Sequence, residues 1–298
     1  MSKRWIELPE RGTGFALRLI HWIGVRMGRP VGRALLYPIT LYFLLTASGP
    51  RRGSRLYLSR LWRRTPRWWE VFRHIHCFAA TILDRVYLLA NQFERFDVEV
   101  RNGELLLRQV DAGQGCIMMG SHLGSFEILR VLGVSRRRFP LKVLMDVDHN
   151  PGITRFMAAL NRQIAATVIP IGRPDTLLKA KESLEQGCLI GTLGDRVVAD
   201  DKSVICRFLG DDARFPTGPW IMAAALQCPV ILFFGLYRGG KRYEVIFEHF
   251  ADRITLDRQS RPRDLQRWAE RYAERLEHYA RTAPYNWFNF YDFWGSPA

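Results

Sequence analysis

The sequence predicts an α/β fold in which a mostly parallel central sheet is flanked by helices and preceded by a helical N-terminal region. Apolar, strand-like runs alternate with helical segments after about residue 97, which is typical of parallel sheets. Residues 1–95 are instead rich in Trp, Arg and Leu and have a helical pattern. The 298 residues suffice for one large core or two smaller ones. We therefore separate a helical region, residues 1–95, from an α/β domain, residues 96–298.

Two apolar segments mark the N-terminal region. Residues 15–27, FALRLIHWIGVRM, alternate apolar and basic side chains at near-helical spacing. Residues 34–47, ALLYPITLYFLLTA, carry no charge but are interrupted by Pro38 and are shorter than the roughly 20 residues of a simple spanning helix. We expect an anchor that lies in or dips into a membrane. A full span by residues 31–48 and a buried helical hairpin are the alternatives. The charged start does not resemble a cleavable signal peptide.

The predicted elements of the α/β domain follow in order. FDVEV begins the domain as a strand, a turn at Asn102-Gly103 follows, and then a short helix or strand. Further strands are predicted at 115–120, 141–147, 167–171, 188–194, 229–238 and 242–250. Helices are predicted at about 125–132, 152–164, 175–187, 220–228 and 263–281. Ligands of such sheets bind at the carboxyl ends of the strands.

The charge balance favours an anionic partner. The chain has 44 Lys and Arg against 29 Asp and Glu, a formal net charge of +15. Its basic residues are interleaved with aromatic ones, as in RLWRRTPRWWEVFRH (60–74), a mixture suited to a membrane interface. Because no nucleic-acid-binding motif accompanies this charge, we expect a membrane surface rather than nucleic acid.

The cysteines give no indication of a metal site. Cys77, Cys116, Cys188, Cys206 and Cys228 are scattered, without a CxxC pair or a histidine at zinc spacing. We therefore expect a reducing compartment and neither a metal nor another resident cofactor.

The stretch MGSHLGSFE (119–127) provides the main candidate for chemistry. His122 follows the strand 115–120, and Glu127 falls in the first turn of the next predicted helix. If His122 lies in the loop, Glu127 can bind one imidazole nitrogen and leave the other free to accept a proton from a substrate hydroxyl. A structural histidine that caps a helix would give the same local pattern.

The run SHLGSFE resembles the H-x4-D/E motif of the lysophospholipid/glycerolipid acyltransferase superfamily, and most closely the branch of bacterial lipid A biosynthesis (lauroyl/myristoyl) acyltransferases. The resemblance covers about residues 100–294 in the same order. It includes DHNPGITRFMAALNR (148–162), LLKAKESLEQGCLIGTLGDR (177–196), FLGDDARFPTGPWIMAAALQCPVILFF (208–234) and the aromatic APYNWFNFYDFW (283–294).

The resemblance implies a glycerolipid acyltransferase-like fold with His122 as general base and Glu127 as its orienting carboxylate. It also implies a co-substrate, an acyl thioester of acidic acyl carrier protein or of coenzyme A, and a lipid acceptor at the cytoplasmic face of a bacterial inner membrane. Arg155, Asp195 and Arg196 lie on segments that match active-site loops of the family. We expect them to bind substrate, since an arginine there can hold a phosphate or carboxylate.

The C-terminal stretch departs from the family pattern. Lipid A acyltransferases typically end in a tryptophan followed by basic residues, whereas NWFNFYDFW has no basic residue and carries Asp292. This favours another lipid, or an acylated pigment such as an aryl polyene, over lipid A as acceptor. A lysophospholipid or N-acyl transferase of the same fold and a non-catalytic, basic lipid-binding protein are the alternatives.

Overall fold

The structure is a computed structural model, and it describes the backbone of most of the chain. The described ranges are residues 13–129, 140–147, 166–197 and 202–295, with side chains from Gly28 onward. The predicted helix 152–164 and Arg155 lie outside these ranges, as do residues 130–132 of the predicted helix 125–132. In the described part of that segment, Phe126–Ile128 form a turn closed by a hydrogen bond from the Leu129 amide to the Phe126 carbonyl, 3.1 Å long.

The described part of the N-terminal region contains three α-helices: α1 (Thr13–Thr46), α2 (Ser48–Trp62) and α3 (Trp68–Leu89). Their positions agree with the predicted helical region. Helix α1 is broken at Gly28, whose φ of 77° is left-handed. Within the described residues no single helix is long and apolar enough to cross a membrane. The bent pair Gly28–Thr46 and Ser48–Trp62, at 94° to each other, meets that requirement by length and composition.

In the described residues the central sheet has seven strands and is mostly parallel, as predicted. Its strands are β1 (Asp97–Arg101), β2 (Cys116–Gly120), β3 (Leu141–Met145), β4 (Val168–Pro170), β5 (Leu189–Leu193), β8 (Val230–Tyr237) and β9 (Arg242–Ala251), in the spatial order β1-β9-β8-β2-β5-β3-β4. Among the described strands of this sheet, only β8 and β9 pair antiparallel. Strand β2 lies between β5 and β8, so its carboxyl end opens onto the middle of one sheet edge.

Helices cover both faces of the sheet. They are α4 (Gly103–Asp111), α5 (Thr176–Glu185), α6 (Gly218–Leu226) and α7 (Arg261–Thr282), together with α1–α3. Side chains of β2 alternate between two cores: Ile117 and Met119 pack on the side of α7, and Met118 packs on the side of α1. This two-sided burial explains why the strand CIMMG is apolar throughout.

A hairpin of β6 (Ser203–Phe208) and β7 (Asp211–Pro216) was not predicted. Its turn is Leu209-Gly210, and both residues have a positive φ, 53° and 93°. A leucine in this conformation is uncommon, so the sequence lacks the usual signal of a tight hairpin. The hairpin brings Phe208 against Trp287, with ring centroids 5.1 Å apart, and so supports the C-terminal segment described below.

Candidate active site

His122 lies just beyond the carboxyl end of β2, as the sequence predicts. The end of this strand is fixed by Tyr272 of α7, whose hydroxyl donates to the Gly120 carbonyl at 2.7 Å. Two residues after His122 the chain turns at Gly124, which has a φ of 80°. Any side chain at position 124 would overlap the carbonyl of Gly235, so the turn requires glycine. The His122 loop is therefore held against both α7 and β8.

Asp195 is the carboxylate that contacts His122. It follows β5, the neighbour of β2 in the sheet, and its Oδ1 lies 2.7 Å from the Nδ1 of His122. The backbone amide of His122 lies 3.1 Å from each carboxylate oxygen. Adjacent parallel strands thus bring together two predicted site residues that are 73 positions apart.

The C-terminal segment Asn286–Asn289 completes the surroundings of Asp195. Trp287 Nε1 donates to Asp195 Oδ2 at 3.0 Å, and Asn289 Nδ2 donates to the same oxygen at 3.2 Å. The backbone of the segment runs beside the His122 loop, with the Phe288 amide donating to the His122 carbonyl at 2.8 Å. Asp195 is fully buried, and these donors supply the hydrogen bonds that a buried carboxylate needs.

The electrostatics keep Asp195 ionised. Burial opposes its charge, but His122, Arg196 and the His122 amide outweigh burial and lower the pKa of Asp195 to about 2. The pKa of His122 is also below its usual range, because burial and the positive charge of Arg196 outweigh the attraction of Asp195. At neutral pH the site therefore holds a carboxylate and a neutral imidazole.

The tautomer of His122 follows from its partner. An ionised Asp195 only accepts hydrogen bonds, so the imidazole proton belongs on Nδ1 and the lone pair is on Nε2. The His122 side chain is 27 % exposed, and no hydrogen bond to Nε2 is seen within the described residues. Nε2 can therefore accept a proton from a group that approaches from outside.

The structure does not join Glu127 to His122. Glu127 Oε1 lies 2.9 Å from Arg85 Nε of α3, and its Oε2 lies 3.5 Å from the Ser125 hydroxyl. No hydrogen bond between Glu127 and His122 occurs in the described part of the chain. The turn Phe126–Ile128 directs the carboxylate towards α3, and Asp195 takes the position beside Nδ1 that the sequence analysis assigned to Glu127.

Arg196 is tied to the C-terminal segment. Its Nε donates to Asn289 Oδ1 at 2.6 Å, and its Nη2 donates to the Phe288 carbonyl at 3.0 Å. Burial lowers the pKa of Arg196, partly offset by Tyr291 and Asp195. Substrate binding by Arg196 stays a prediction. So does substrate binding by Arg155, which lies outside the described residues.

Sequence reasoning missed Trp287, Asn289 and Arg85. The stretch NWFNF was noted for its aromatic character, but its indole N–H and amide donors were not connected with a buried acid. An arginine near the apolar C-terminal end of α3 was a signal for Arg85, since such a charge needs a partner. Among the described residues, no group of three or more His, Cys, Asp or Glu side chains could hold a metal ion.

Comparison with known proteins identifies the family. A sequence profile of the bacterial lipid A biosynthesis acyltransferases matches residues 77–295, which include β2, β5 and the C-terminal segment. No curated protein matches the chain significantly. Since the profile covers well over half of the sequence, the chain belongs to the bacterial lipid A biosynthesis acyltransferase family and is an acyltransferase.

Proposed function

We propose that this enzyme moves a fatty acyl group from a thioester of acyl carrier protein or coenzyme A to a hydroxyl of a membrane lipid or lipid-like acceptor. His122 acts as the general base, and Asp195 orients it. The observation that carries the proposal is the 2.7 Å contact between Asp195 and Nδ1, which leaves Nε2 free to accept a proton.

The proposed reaction needs no nucleophile from the protein. Nε2 of His122 takes the proton of the acceptor hydroxyl while its oxygen attacks the thioester carbonyl carbon. The imidazolium that forms is stabilised by Asp195, 2.7 Å away. Collapse of the tetrahedral intermediate breaks the C–S bond, and the imidazolium returns its proton to the leaving thiolate. The products are an acyl ester and a free thiol.

Glu127 has a different role in this proposal from the one predicted from sequence. Its contact with Arg85 at 2.9 Å makes it the residue that holds a cation of α3 beside the His122 loop. Arg85 adds to the positive charge that lowers the pKa of His122. Glu127 thus acts on the site by positioning Arg85.

The donor and the reaction are tested together with purified full-length protein. An acyl carrier protein and coenzyme A carrying the same acyl chain would be offered with lipid extract, and thiol release and acyl ester would be measured. Because the net charge is +15, we expect acyl carrier protein, which is acidic, to be preferred and this preference to weaken with salt. Lipid binding without thiol release would contradict the proposal, whereas transfer to an amine would indicate an N-acyl transferase. The acceptor would be named by the acylated lipid missing from cells that lack the protein.

We propose that the N-terminal helices bring the enzyme to the cytoplasmic face of the bacterial inner membrane. Beyond Gly28, α1 exposes Tyr37, Leu41, Tyr42 and Leu45, and α3 begins with the exposed Trp68. Exposed arginines at the start of α2, Arg52 and Arg55, complement anionic headgroups. Apolar and aromatic side chains beside arginines are what an interfacial helix presents to a bilayer.

A paired charge substitution tests this surface. We expect Leu41→Glu with Leu45→Glu to lower binding to vesicles of phosphatidylglycerol and phosphatidylcholine by about tenfold or more, since two apolar side chains lose their burial in lipid. The matched control is Leu177→Glu with Leu178→Glu on α5, where both leucines are also exposed. Sedimentation with vesicles measures the effect. Equal loss of binding in both double variants would rule out the α1 surface.

A further inference from the structure

We propose that His74 of α3 is a positioning residue of the active site, acting on Asp195 through Trp287. This inference rests on the proposed role of His122 and Asp195. It extends the active site into the N-terminal helices, for which the sequence predicts a membrane anchor, with a buried helical hairpin as one alternative.

A continuous chain of buried contacts links the two regions. The Ser54 hydroxyl of α2 lies 2.8 Å from His74 Nδ1, and His74 Nε2 lies 2.8 Å from the Trp287 carbonyl oxygen. The indole Nε1 of Trp287 donates to Asp195 Oδ2 at 3.0 Å. Ser54, His74, Trp287 and Asp195 are each fully buried, so water cannot replace any of these partners.

The direction of each hydrogen bond is fixed by chemistry. The Trp287 carbonyl can only accept, so His74 carries its proton on Nε2. Nδ1 then accepts from the Ser54 hydroxyl. Burial lowers the pKa of His74 to about 4, only partly offset by the hydrogen bond to Trp287, so the ring is neutral at physiological pH. A neutral His74 of one tautomer is therefore a fixed donor towards Trp287.

The backbone of Trp287 needs a support of this kind. Two backbone hydrogen bonds join the C-terminal segment to the His122 loop. The Phe288 amide donates to the His122 carbonyl and the Gly124 amide donates to the Asn286 carbonyl, and each bond is 2.8 Å long. His74 binds the carbonyl of Trp287, the residue between these two contacts. Without it, the backbone at 287 can rotate and the indole N–H can leave Asp195. A misplacement of about 1 Å at such a site can cost up to about 100-fold in rate.

Two substitutions that differ by one methylene group separate this role from simple packing. In His74→Gln the side-chain amide can extend to the position of Nε2 and still donate to the Trp287 carbonyl. In His74→Asn the shorter amide reaches only the position of Nδ1, near Ser54. We expect His74→Asn to lower kcat by about 10- to 100-fold with KM for the thioester nearly unchanged. His74→Gln should retain kcat to within about threefold because it keeps the donor.

The control is His76→Asn on the same helix. His76 is half-buried, lies about 200° around the helix from His74, and contacts Thr40 Oγ1 at 3.3 Å. We expect it to leave kcat unchanged. If His74→Asn and His74→Gln lose kcat equally, or if both keep it, the positioning role of His74 is disproved.

The same assay separates this inference from the proposed function. His122→Ala is measured beside the His74 variants under identical conditions. Full activity of His122→Ala would overturn the general-base proposal itself. An inactive His122→Ala together with a fully active His74→Asn would overturn the inference about His74 alone.

Discussion

Replacement of His122 by alanine is expected to lower kcat/KM for acyl transfer by about 10³-fold, the scale of a lost general base. The substitution removes the Nε2 lone pair that receives the proton of the acceptor hydroxyl. The Asp195 carboxylate keeps most of its hydrogen bonds in this variant, because Trp287, Asn289 and the backbone amide of residue 122 still donate to it. We therefore expect a folded protein that still binds thioester and lipid but transfers slowly.

The measurement is thiol release together with acyl ester formation, at saturating and at low thioester concentration. His249→Ala is the matched control, since His249 pairs with Asp252 at the surface of β9 and not with the site. Circular dichroism and vesicle binding would establish that both variants are folded. Equal transfer rates for His122→Ala and the unmodified enzyme would show that His122 is not the base.

The position of His122 could be predicted because it depends on local sequence. An apolar strand, CIMMG, ends directly before it, and Gly124 marks the turn that follows. The edge of a parallel sheet where ligands bind is set by topology alone. Asp195 and Arg196 were selected because their segment resembles an active-site loop of the family, and both follow the neighbouring strand β5. His122 and Asp195 were thus both singled out from the sequence, and the structure brings them within 2.7 Å of each other.

The partners within the site could not be predicted, because they depend on contacts between distant segments. The order β8-β2-β5 places Asp195 beside His122, whereas the sequence suggested the nearer Glu127. Trp287 and Asn289 reach Asp195 from 92 and 94 positions away. His74 lies 213 positions from Trp287. No periodicity in the sequence encodes such pairings, which arise only when helices and sheet are assembled.

The Asp195→Asn variant is expected to lower kcat/KM by about 10³- to 10⁴-fold, because the amide selects the wrong tautomer of His122. Asp195 Oδ2 accepts from both Trp287 Nε1 and Asn289 Nδ2, while Oδ1 faces His122 Nδ1. In asparagine only one of these atoms is an acceptor. Two donors on the Oδ2 side favour the amide oxygen there, so the NH2 group points at Nδ1. Nδ1 must then accept, which moves the imidazole proton to Nε2 and removes the base.

The Asp195→Asn variant should also differ from the unmodified enzyme in the pH dependence of kcat/KM. In the unmodified enzyme the pKa of His122 is lowered, so activity should be lost only as the pH falls below the ordinary range of histidine. The negative charge of Asp195 raises the pKa of His122. Removing that charge should shift the acid limb of kcat/KM in Asp195→Asn to still lower pH. Nitrogen NMR of the His122 ring reports the tautomer directly.

The Glu127→Gln variant tests whether Asp195 or Glu127, the carboxylate predicted from the sequence, orients His122. If Asp195 orients His122, Glu127→Gln disturbs Arg85 but leaves the imidazole proton on Nδ1, and its loss of kcat/KM is smaller than that of Asp195→Asn. Asp252→Asn, at an exposed surface pair with His249, controls for the loss of one carboxylate. A change of tautomer in Glu127→Gln, together with an unchanged ring in Asp195→Asn, would assign the orienting role to Glu127. The 2.7 Å contact between Asp195 and Nδ1 leads us to expect the opposite result.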